Sequence, residues 1–448
     1  CGNSPGQIYG SWTDAGGNVV SAVCPVAWTV ALDGSGDFDS IQDAINAAAE
    51  SGDLIQVMPG TYLEYDISTN GKAVTIEGSV DENGLATIVD AQGIARVFVI
   101  DQGEGSGTVL RNLVITNGNG GNNDGGGIRC DGTSPTIQGC LLVNNSSAYD
   151  GGAVAVLQPG APTFVNCTFS GNEANKGGAI LCWEQTNTTI ADCLFESNFA
   201  RNNEGGGIYL WNCSMVMLDT VFRDNSANGT GGGLFCSVCD VIATDVVIQS
   251  NDAVVHGGGV AIYGTKSDWT LNNCQIVENT AGTDGGGVYS ASANTALGHC
   301  VVKDNSGAWG SGMYFTGDSV STISNTLVSG NVSSFRGGGI LCSQSSDVSV
   351  IDSSITSNTA PDGGGGIYSP DTDTELSLEG TYVCGNISDQ VQGNFIDEGG
   401  NTIEEVCADS DGDGVPDAKD NCDLFNPKQL DCNGNGIGDV CDLADQTS

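Results

Sequence analysis

The sequence predicts an all-β solenoid in which short parallel strands wind into about 13 stacked coils. Three observations predict it. Gly-rich triplets followed by an apolar residue recur every 25 to 28 residues, from GGGI at 125–128 to GGGI at 364–367. The segments between them alternate apolar and polar residues with a period of two, which indicates strands. A column of asparagines recurs in phase with the glycines: Asn117, Asn145, Asn172, Asn198, Asn225, Asn251, Asn279, Asn305, Asn331, Asn358 and Asn386.

Each repeat has the residues that a tight coil needs, as in GGAILCWEQTNTTIADCLFESN at 177–198. Glycine supplies the positive φ of a corner, and asparagine tolerates the left-handed region. Stacked coils place each column in register about 4.8 Å apart, so asparagine side chains can bond along the stack as a ladder. These features predict a parallel β-helix. The GGGI…FxxN pattern over residues 28–400 resembles right-handed parallel β-helix proteins, including bacterial surface and autotransporter-type repeats.

The segment at 28–65 opens the solenoid differently. It contains one helical pattern, with Ile41, Ala44, Ile45 and Ala48 on one face and Ser40 as N-cap. We expect this helix to cover the first coil and its open sheet edge. The pieces DGSGDF, IQDAI and GTYLE are similar to the opening of pectin-esterase-like β-helix enzymes. The downstream catalytic motifs of those esterases are absent, so no catalytic residue carries over, and Glu64 in GTYLE is expected to be structural.

The composition excludes nucleic acid as a partner and favours a location outside the cell or at its surface. The 448 residues carry 55 acidic and 12 basic side chains, a net charge of −43. Nucleic acid is an unsuitable partner, because its phosphates require Lys and Arg. No apolar run is long enough to span a membrane. Eighteen cysteines indicate an oxidising, extracellular or cell-surface location.

Charged residues share the column just before the glycines. Lys176, His256 and Arg336 fall there, next to Asp150, Glu204 and Asp284 in adjacent coils. We expect pairs along a charge ladder, with Arg223 and Glu196 as a further pair in another column. His256 and His299 are the only histidines.

An aromatic column follows the aliphatic position of the repeat. Such a stripe can stack on sugar rings, contact another protein, or form a half-buried strand surface. Its members, the candidate glycan or protein contacts, are Tyr209, Phe235, Tyr289, Tyr314 and Tyr368.

Cysteines in one column of consecutive coils would lie within the range of a disulfide. Cys213 with Cys239 and Cys274 with Cys300 are such candidates. A second group, Cys130, Cys182, Cys236 and Cys342, is expected to point inward as core. Cys384 and Cys407 could staple the end of the solenoid, and Cys1 and Cys24 are their counterparts in the duplicated segment described below.

The last 40 residues predict calcium binding. DSDGDGVPDAKD at 409–420 has carboxylates at positions 1, 3, 5, 9 and 12 and glycine at 6, the pattern of an EF-hand-like loop, and 431–442 repeats the spacing. Hard oxygen ligands at this density indicate Ca²⁺ as the cofactor. The candidate ligands, with Val415 and Ile437 acting through carbonyls, are Asp409, Asp411, Asp413, Val415, Asp417, Asp420, Asp431, Asn433, Asn435, Ile437, Asp439 and Asp442. The run 409–442 resembles thrombospondin type 3 repeats, which implies a Cys422–Cys441 disulfide and a spacer, adhesion or docking role.

Residues 1–24 match residues 384–407 at 11 of 24 positions without a gap. The predicted domains are therefore a cap-like segment at 1–26, a β-helix at 27–383, a C-terminal cap at 384–408 and the calcium tail at 409–448. The first copy would finish a preceding module, cap another molecule, or fold over its own solenoid.

Two complementary ends favour head-to-tail contacts between copies, which form filaments when they do not close. The leading hypothesis is a non-enzymatic, extracellular β-helix rod that assembles or is concatenated end to end, with Ca²⁺ ordering the junctions. The alternatives are a cell-surface adhesin or glycan-binding module and, third, a polysaccharide lyase or esterase.

Overall fold

The structure is a computed structural model that describes residues 25–49 and 51–408. These residues fall into two compact units, residues 25–229 with 233–241 and residues 230–232 with 242–408. Each unit is a parallel β-solenoid, and the strand Asp240–Thr244 holds residues of both. The predicted all-β class is confirmed.

Unit 1 contains three long sheets and one short sheet of parallel strands, each strand pairing with its equivalent in the next coil. The first sheet comprises Ala27–Val30, Ser51–Val57, Ala73–Gly78, Val109–Arg111, Thr136–Gln138, Thr163–Val165, Asn187–Ala191 and Ser214–Leu218. The second sheet follows the glycines and comprises Ile67–Ser68, Phe98–Ile100, Ile128–Asp131, Val154–Leu157, Ile180–Trp183, Ile208–Trp211 and Leu234–Ser237. The third sheet comprises Gly60–Tyr62, Thr87–Asp90, Val114–Thr116, Leu141–Val143, Thr168–Ser170, Leu194–Glu196 and Val221–Arg223. The short sheet comprises Glu173–Ala174, Phe199–Ala200 and Ser226–Ala227.

Unit 2 repeats this arrangement. Its first sheet comprises Asp268–Asn272, Asn294–Gly298, Val320–Ser324, Asp347–Ile351, Glu375–Glu379 and Ile396–Gly399. The second comprises Val260–Tyr263, Val288–Ala291, Met313–Thr316, Ile340–Cys342, Ile367–Ser369 and Val391–Gly393. The third comprises Val247–Gln249, Gln275–Val277, Val301–Lys303, Leu327–Ser329, Ser354–Thr356, Tyr382–Cys384 and Thr402–Glu404. The short sheet comprises Asp252–Ala253, Thr280–Ala281, Ser306–Trp309 and Val332–Arg336.

The core of each unit lies inside the coils, where in-register side chains stack. In unit 1 the rings of Phe169, Phe195 and Phe222 stack with centroids 4.5 and 4.6 Å apart, and all three are fully buried. The inward cysteines predicted from the repeat, Cys130, Cys182, Cys236 and Cys342, are fully buried as expected.

The asparagine ladder is present in both units. In unit 2, the side-chain oxygens of Asn279 and Asn305 each accept two hydrogen bonds from the preceding rung, one from its backbone N–H and one from its side-chain amide. In unit 1 the first rung is Asn145, because Gly118 occupies the equivalent place one coil earlier and donates to Asn145 Oδ1. Asn117, predicted as a rung, is exposed at a φ of 54° and bonds Asp90 instead.

The predicted helix spans Ile41–Ala47, with Ser40 as N-cap and Ile41, Ala44 and Ile45 buried. The Glu64 carboxylate accepts from the backbone N–H groups of Ile41 and Gln42, so Glu64 has the expected structural role at a helix N-terminus. That the helix serves as the cap of the solenoid stays a prediction. No helix within the described residues is long and apolar enough to cross a membrane.

Candidate functional site

Glycine shapes the corner at which the candidate site lies. Gly285 has a φ of +61°, and a Cβ there would lie 2.5 Å from the Val288 carbonyl oxygen and 2.8 Å from the Tyr289 Cβ. Only glycine fits at this position, because Tyr289 of the aromatic column already occupies the space over the corner. Tyr289 therefore lies beside the charged column, whose residue Asp284 directly precedes Gly285. Gly310 bears the same relation to Tyr314.

The five residues of the aromatic column have different environments. Tyr209, Phe235 and Tyr368 are buried, whereas Tyr289 and Tyr314 are half-buried. The structure therefore assigns the first three a packing role and leaves Tyr289 and Tyr314 as the accessible members. Tyr209 and Phe235 stack face to face, with planes 5° apart and centroids 5.0 Å apart.

In unit 1 the charged column contains an ion pair between adjacent coils. Lys176 Nζ lies 3.3 Å from Glu204 Oε2, 3.3 Å from the Tyr209 hydroxyl and 4.6 Å from the centre of the Tyr209 ring. Burial and the neighbouring Asp124 raise the pKa of Asp150 to about 6. The predicted pairing along this column is confirmed here, as is the Arg223–Glu196 pair at 2.7 Å.

In unit 2 the same column holds His256 and Asp284, and Thr283, one residue before Asp284, lies beside them. His256 Nδ1 lies 3.1 Å from Asp284 Oδ2 and 2.8 Å from Thr283 Oγ1. The imidazole ring stacks on Tyr289, with centroids 4.5 Å apart and planes 11° apart. The side chains of His256 and Asp284 are 24% and 19% exposed, so solvent and ligands can reach them.

Tyr289 and Tyr314 meet at a right angle rather than in a ladder. Their centroids are 5.5 Å apart and their planes differ by 88°, and Tyr263 is tilted against Tyr289 at 5.3 Å. We call Tyr289, Tyr314, His256 and Asp284 the tyrosine corner. Burial, with Asp284 nearby, raises the pKa of Tyr289 to about 12, so its hydroxyl stays protonated.

The next coils extend this surface. The backbone of Trp309 forms a parallel β-bridge with Asp284 in the preceding coil and pairs in register with Arg336 in the next coil. Its ring stacks on the exposed Phe335 at 5.4 Å. Arg336 donates to the Tyr368 hydroxyl at 2.6 Å and lies over that ring, so this basic residue is bound to an aromatic ring.

The sequence placed His256 and Asp284 in adjacent coils and Tyr289 in the neighbouring column, but it did not bring them together as a site. Thr283 and Tyr263 were not singled out. Two sequence signals could have found them. Both histidine and threonine lie within three residues of the glycine triplet, and Tyr263 precedes Tyr289 by about one coil.

The predicted calcium ligands between Asp409 and Asp442, together with Cys1, Cys24, Cys422 and Cys441, lie outside the described residues. Within residues 25–49 and 51–408, no group of three or more His, Cys, Asp or Glu side chains has a metal-binding arrangement. The predicted Cys384–Cys407 disulfide is confirmed.

The two inter-coil disulfides are not formed in the structure. Cys274 and Cys300 keep their thiols, which donate to the carbonyls of Ala243 and Leu271 at 3.6 and 3.4 Å. The Cys213 thiol donates to the Cys182 carbonyl at 3.7 Å and has Cys239 as a further side-chain partner. All four cysteines lie in the turns between strands, so the register of the paired strands does not by itself set the sulfur geometry that a disulfide needs.

The family model for the right handed beta helix region matches residues 97–281 and 206–386, more than half of the chain. The chain belongs to the right-handed β-helix family. Membership of this family agrees with the predicted fold, whereas the autotransporter-type and thrombospondin type 3 resemblances stay predictions. No curated protein matches the chain.

Several solved structures are similar to this chain. One is a mannuronic acid specific polysaccharide family 6 lyase from human gut microbiota, at 11% identity, covering 84% of this chain and 91% of that chain, with a TM-score of 0.41. A second is the mannuronan C-5 epimerase AlgE4 A-module of Azotobacter vinelandii, at 15% identity, 83% and 95% coverage and a TM-score of 0.38. A third is pectin methylesterase from carrot, at 12% identity, 88% and 91% coverage and a TM-score of 0.28.

The expectation that the chain is not an enzyme is contradicted by these matches, which are a lyase, an epimerase, a methylesterase and also an alpha-1,3-glucanase. That expectation was wrong because it rested on the absence of esterase motifs, and a β-helix can carry many different sites. At these identities and TM-scores the likeness transfers no residue role.

Proposed function

We propose that unit 2 binds a polysaccharide at the tyrosine corner. One observation carries the proposal: Tyr289 and Tyr314 are the accessible members of the aromatic column, and their rings stand at 88° beside a hydrogen-bonding histidine and carboxylate. Aromatic faces pack on sugar rings, and a few placed polar groups fix orientation.

The charge of the chain narrows the ligand class. A net charge of −43 disfavours a polyanionic glycan, which would be repelled over the whole surface. Arg336, the basic residue in the extension of this surface, does not offset that repulsion, because its guanidinium is bound to the Tyr368 hydroxyl. We therefore favour a neutral glycan over a polyuronate.

Calorimetry with neutral glycans and with polygalacturonate tests this proposal. We expect Tyr314→Ala to weaken binding of a neutral glycan about tenfold, the loss of about 1.4 kcal/mol of ring stacking. Tyr314→Phe should retain most of the affinity. Tyr149→Ala is the matched control, because Tyr149 is an exposed tyrosine of unit 1 remote in sequence from the corner. Equal affinities for the Tyr314→Ala and Tyr149→Ala variants, or no binding to any glycan, would reject the proposal.

A second candidate function is calcium-ordered, end-to-end assembly. It is supported by the duplication of 384–407 at 1–24 and by the loop spacing at 409–442. Exposed apolar side chains near the end of unit 2, Ile387 and Val406, also favour a covering partner. Electron microscopy with and without a calcium chelator tests it. Particles of one uniform length in both conditions would reject assembly.

A further inference from the structure

The hydrogen bonds of His256 determine where its ring proton lies. The Thr283 hydroxyl donates its proton to the Val255 carbonyl oxygen at 2.6 Å, so Thr283 Oγ1 is available to His256 Nδ1 only as an acceptor. The Asp284 carboxylate, at 3.1 Å, is likewise an acceptor. Two acceptors on one nitrogen require that Nδ1 carries the proton, and the neutral ring then has its lone pair on Nε2.

Nε2 of His256, the nitrogen that carries the lone pair, is held in place and left accessible. Stacking on Tyr289 covers one face of the imidazole ring and restricts its rotation. Among the described residues, none forms a hydrogen bond with Nε2 of His256. A fixed tautomer and an accessible lone pair are two features that a general base needs.

We infer that the tyrosine corner is also hydrolytic, with His256 as general base for the cleavage of O-acyl esters on the bound glycan. Thr283 and Asp284 are positioning residues, because they act through the imidazole ring. The inference rests on the proposed glycan site and adds a reaction to it.

The bond that is cleaved follows from which groups are present. Hydrolysis of a glycosidic bond uses two carboxyl groups on opposite sides of the bond. In the corner the carboxylate is Asp284, and it is already bound to His256. Ester hydrolysis needs instead one base for water and donors for the developing oxyanion. Tyr289 supplies a hydroxyl that stays protonated through the neutral range. An acyl ester on a neutral glycan also agrees with the acidic charge of the chain.

The step balances without any co-reactant other than water. Nε2 of His256 takes a proton from water as the water oxygen bonds to the ester carbonyl carbon, and the carbonyl electron pair moves to the oxyanion. The carbonyl then reforms and the bond between its carbon and the sugar oxygen breaks. The sugar oxygen takes the proton from Nε2, so one ester and one water give one carboxylic acid and one free sugar hydroxyl.

Activity measurements test the inference on the full chain. We expect release of acetate from O-acetylated xylan, followed by proton NMR, and hydrolysis of 4-nitrophenyl acetate. His256→Gln should lower both rates by about 10²- to 10⁴-fold, the usual contribution of a general base. His299→Gln is the matched control, because His299 is the other histidine and is exposed. No acetate release from a glycan that binds, or an equal rate for the His256→Gln variant, would overturn the inference and leave the binding proposal standing.

A spectroscopic readout keeps the inference separate from glycan binding and from folding of the variants. Nitrogen-15 labelling of histidine gives the signals of only two imidazole rings, His256 and His299, with two nitrogens each. We expect the neutral His256 ring to be protonated at Nδ1. Thr283→Val should shift part of it to the other tautomer and slow hydrolysis about tenfold, and Thr283→Ser should restore both. A His256 ring protonated at Nε2 in the unaltered protein would overturn the inference. Cleavage of 4-nitrophenyl acetate that depends on His256, with no glycan binding, would support the inference and reject the proposed ligand.

Discussion

Replacing Asn305 by alanine removes one rung of the asparagine ladder in unit 2. The Asn305 side-chain amide donates to the Ile276 carbonyl at 2.8 Å and to Asn331 Oδ1 at 2.9 Å. Its oxygen accepts from the backbone N–H and the side-chain amide of Asn279 at 2.9 and 3.0 Å. The side chain is fully buried, so water cannot replace these partners.

The expected cost follows from these four hydrogen bonds. The two that Asn305 donates contribute about 1 kcal/mol each, and the two stranded donors of Asn279 cost about 1–2 kcal/mol each. We therefore expect Asn305→Ala to lower the free energy of unfolding by about 4–6 kcal/mol. Asn294→Ala is the control. Asn294 is an exposed asparagine with one bond to Asp268, and its loss should cost less than about 1 kcal/mol.

Guanidinium unfolding combined with hydrogen exchange measures the difference. Exchange is needed because a solenoid can open locally, and we expect faster exchange in the coils that contain Asn279 and Asn331. A difference below about 1 kcal/mol between the two variants, with unchanged exchange around Asn279, would refute this account of the ladder.

Three further predictions concern charge, a disulfide and a corner. The pKa of Asp150 rises from 3.8 to about 6 on folding, so the ionised carboxylate lowers the stability of the folded chain above pH 6, and this cost vanishes as the pH falls towards 4. Asp150→Asn should therefore be about 2 kcal/mol more stable than the unaltered chain at pH 7 and equally stable near pH 4. Stability curves that run parallel over this pH range would contradict the prediction. Removing the Cys384–Cys407 disulfide, which closes a separation of 23 residues, by Cys384→Ser should cost about 3 kcal/mol in denaturant unfolding, and an unchanged midpoint would contradict it. Gly285→Ala places a methyl group 2.5 Å from a backbone oxygen at positive φ, so we expect a loss of about 2–3 kcal/mol in thermal unfolding and displacement of Tyr289, seen as weaker glycan binding; unchanged stability would show that the corner can relax.

Much of the fold could be predicted from the sequence because every coil of a solenoid repeats the same local structure. The glycine and asparagine columns recur at a fixed interval, and residues in one column meet across adjacent coils. This geometry was enough to predict the ladder from Asn145 onwards and the pairing of Lys176 with Glu204. It failed at Asn117, where the chain is one residue out of phase and Gly118 takes the place of a rung.

The candidate site was predictable only in part. A strand's period of two tells which face a side chain takes, but not what covers it. Lys176 lies over Tyr209 and Arg336 lies over Tyr368, and both rings are buried. Tyr289 and Tyr314, identical in the repeat pattern, stay accessible and turn through 88°.

The sequence by itself determined the period, the corners, the inward residues and the partners along each column, because these depend on contacts between equivalent positions. Only the tertiary structure decided which aromatic rings are exposed and that Thr283 and Asp284 share one nitrogen of His256. Those relations join different columns, whose separation depends on how each corner bends. The repeat interval in the sequence does not specify this bend. The contacts that give the tyrosine corner its chemistry are therefore visible only in the tertiary structure.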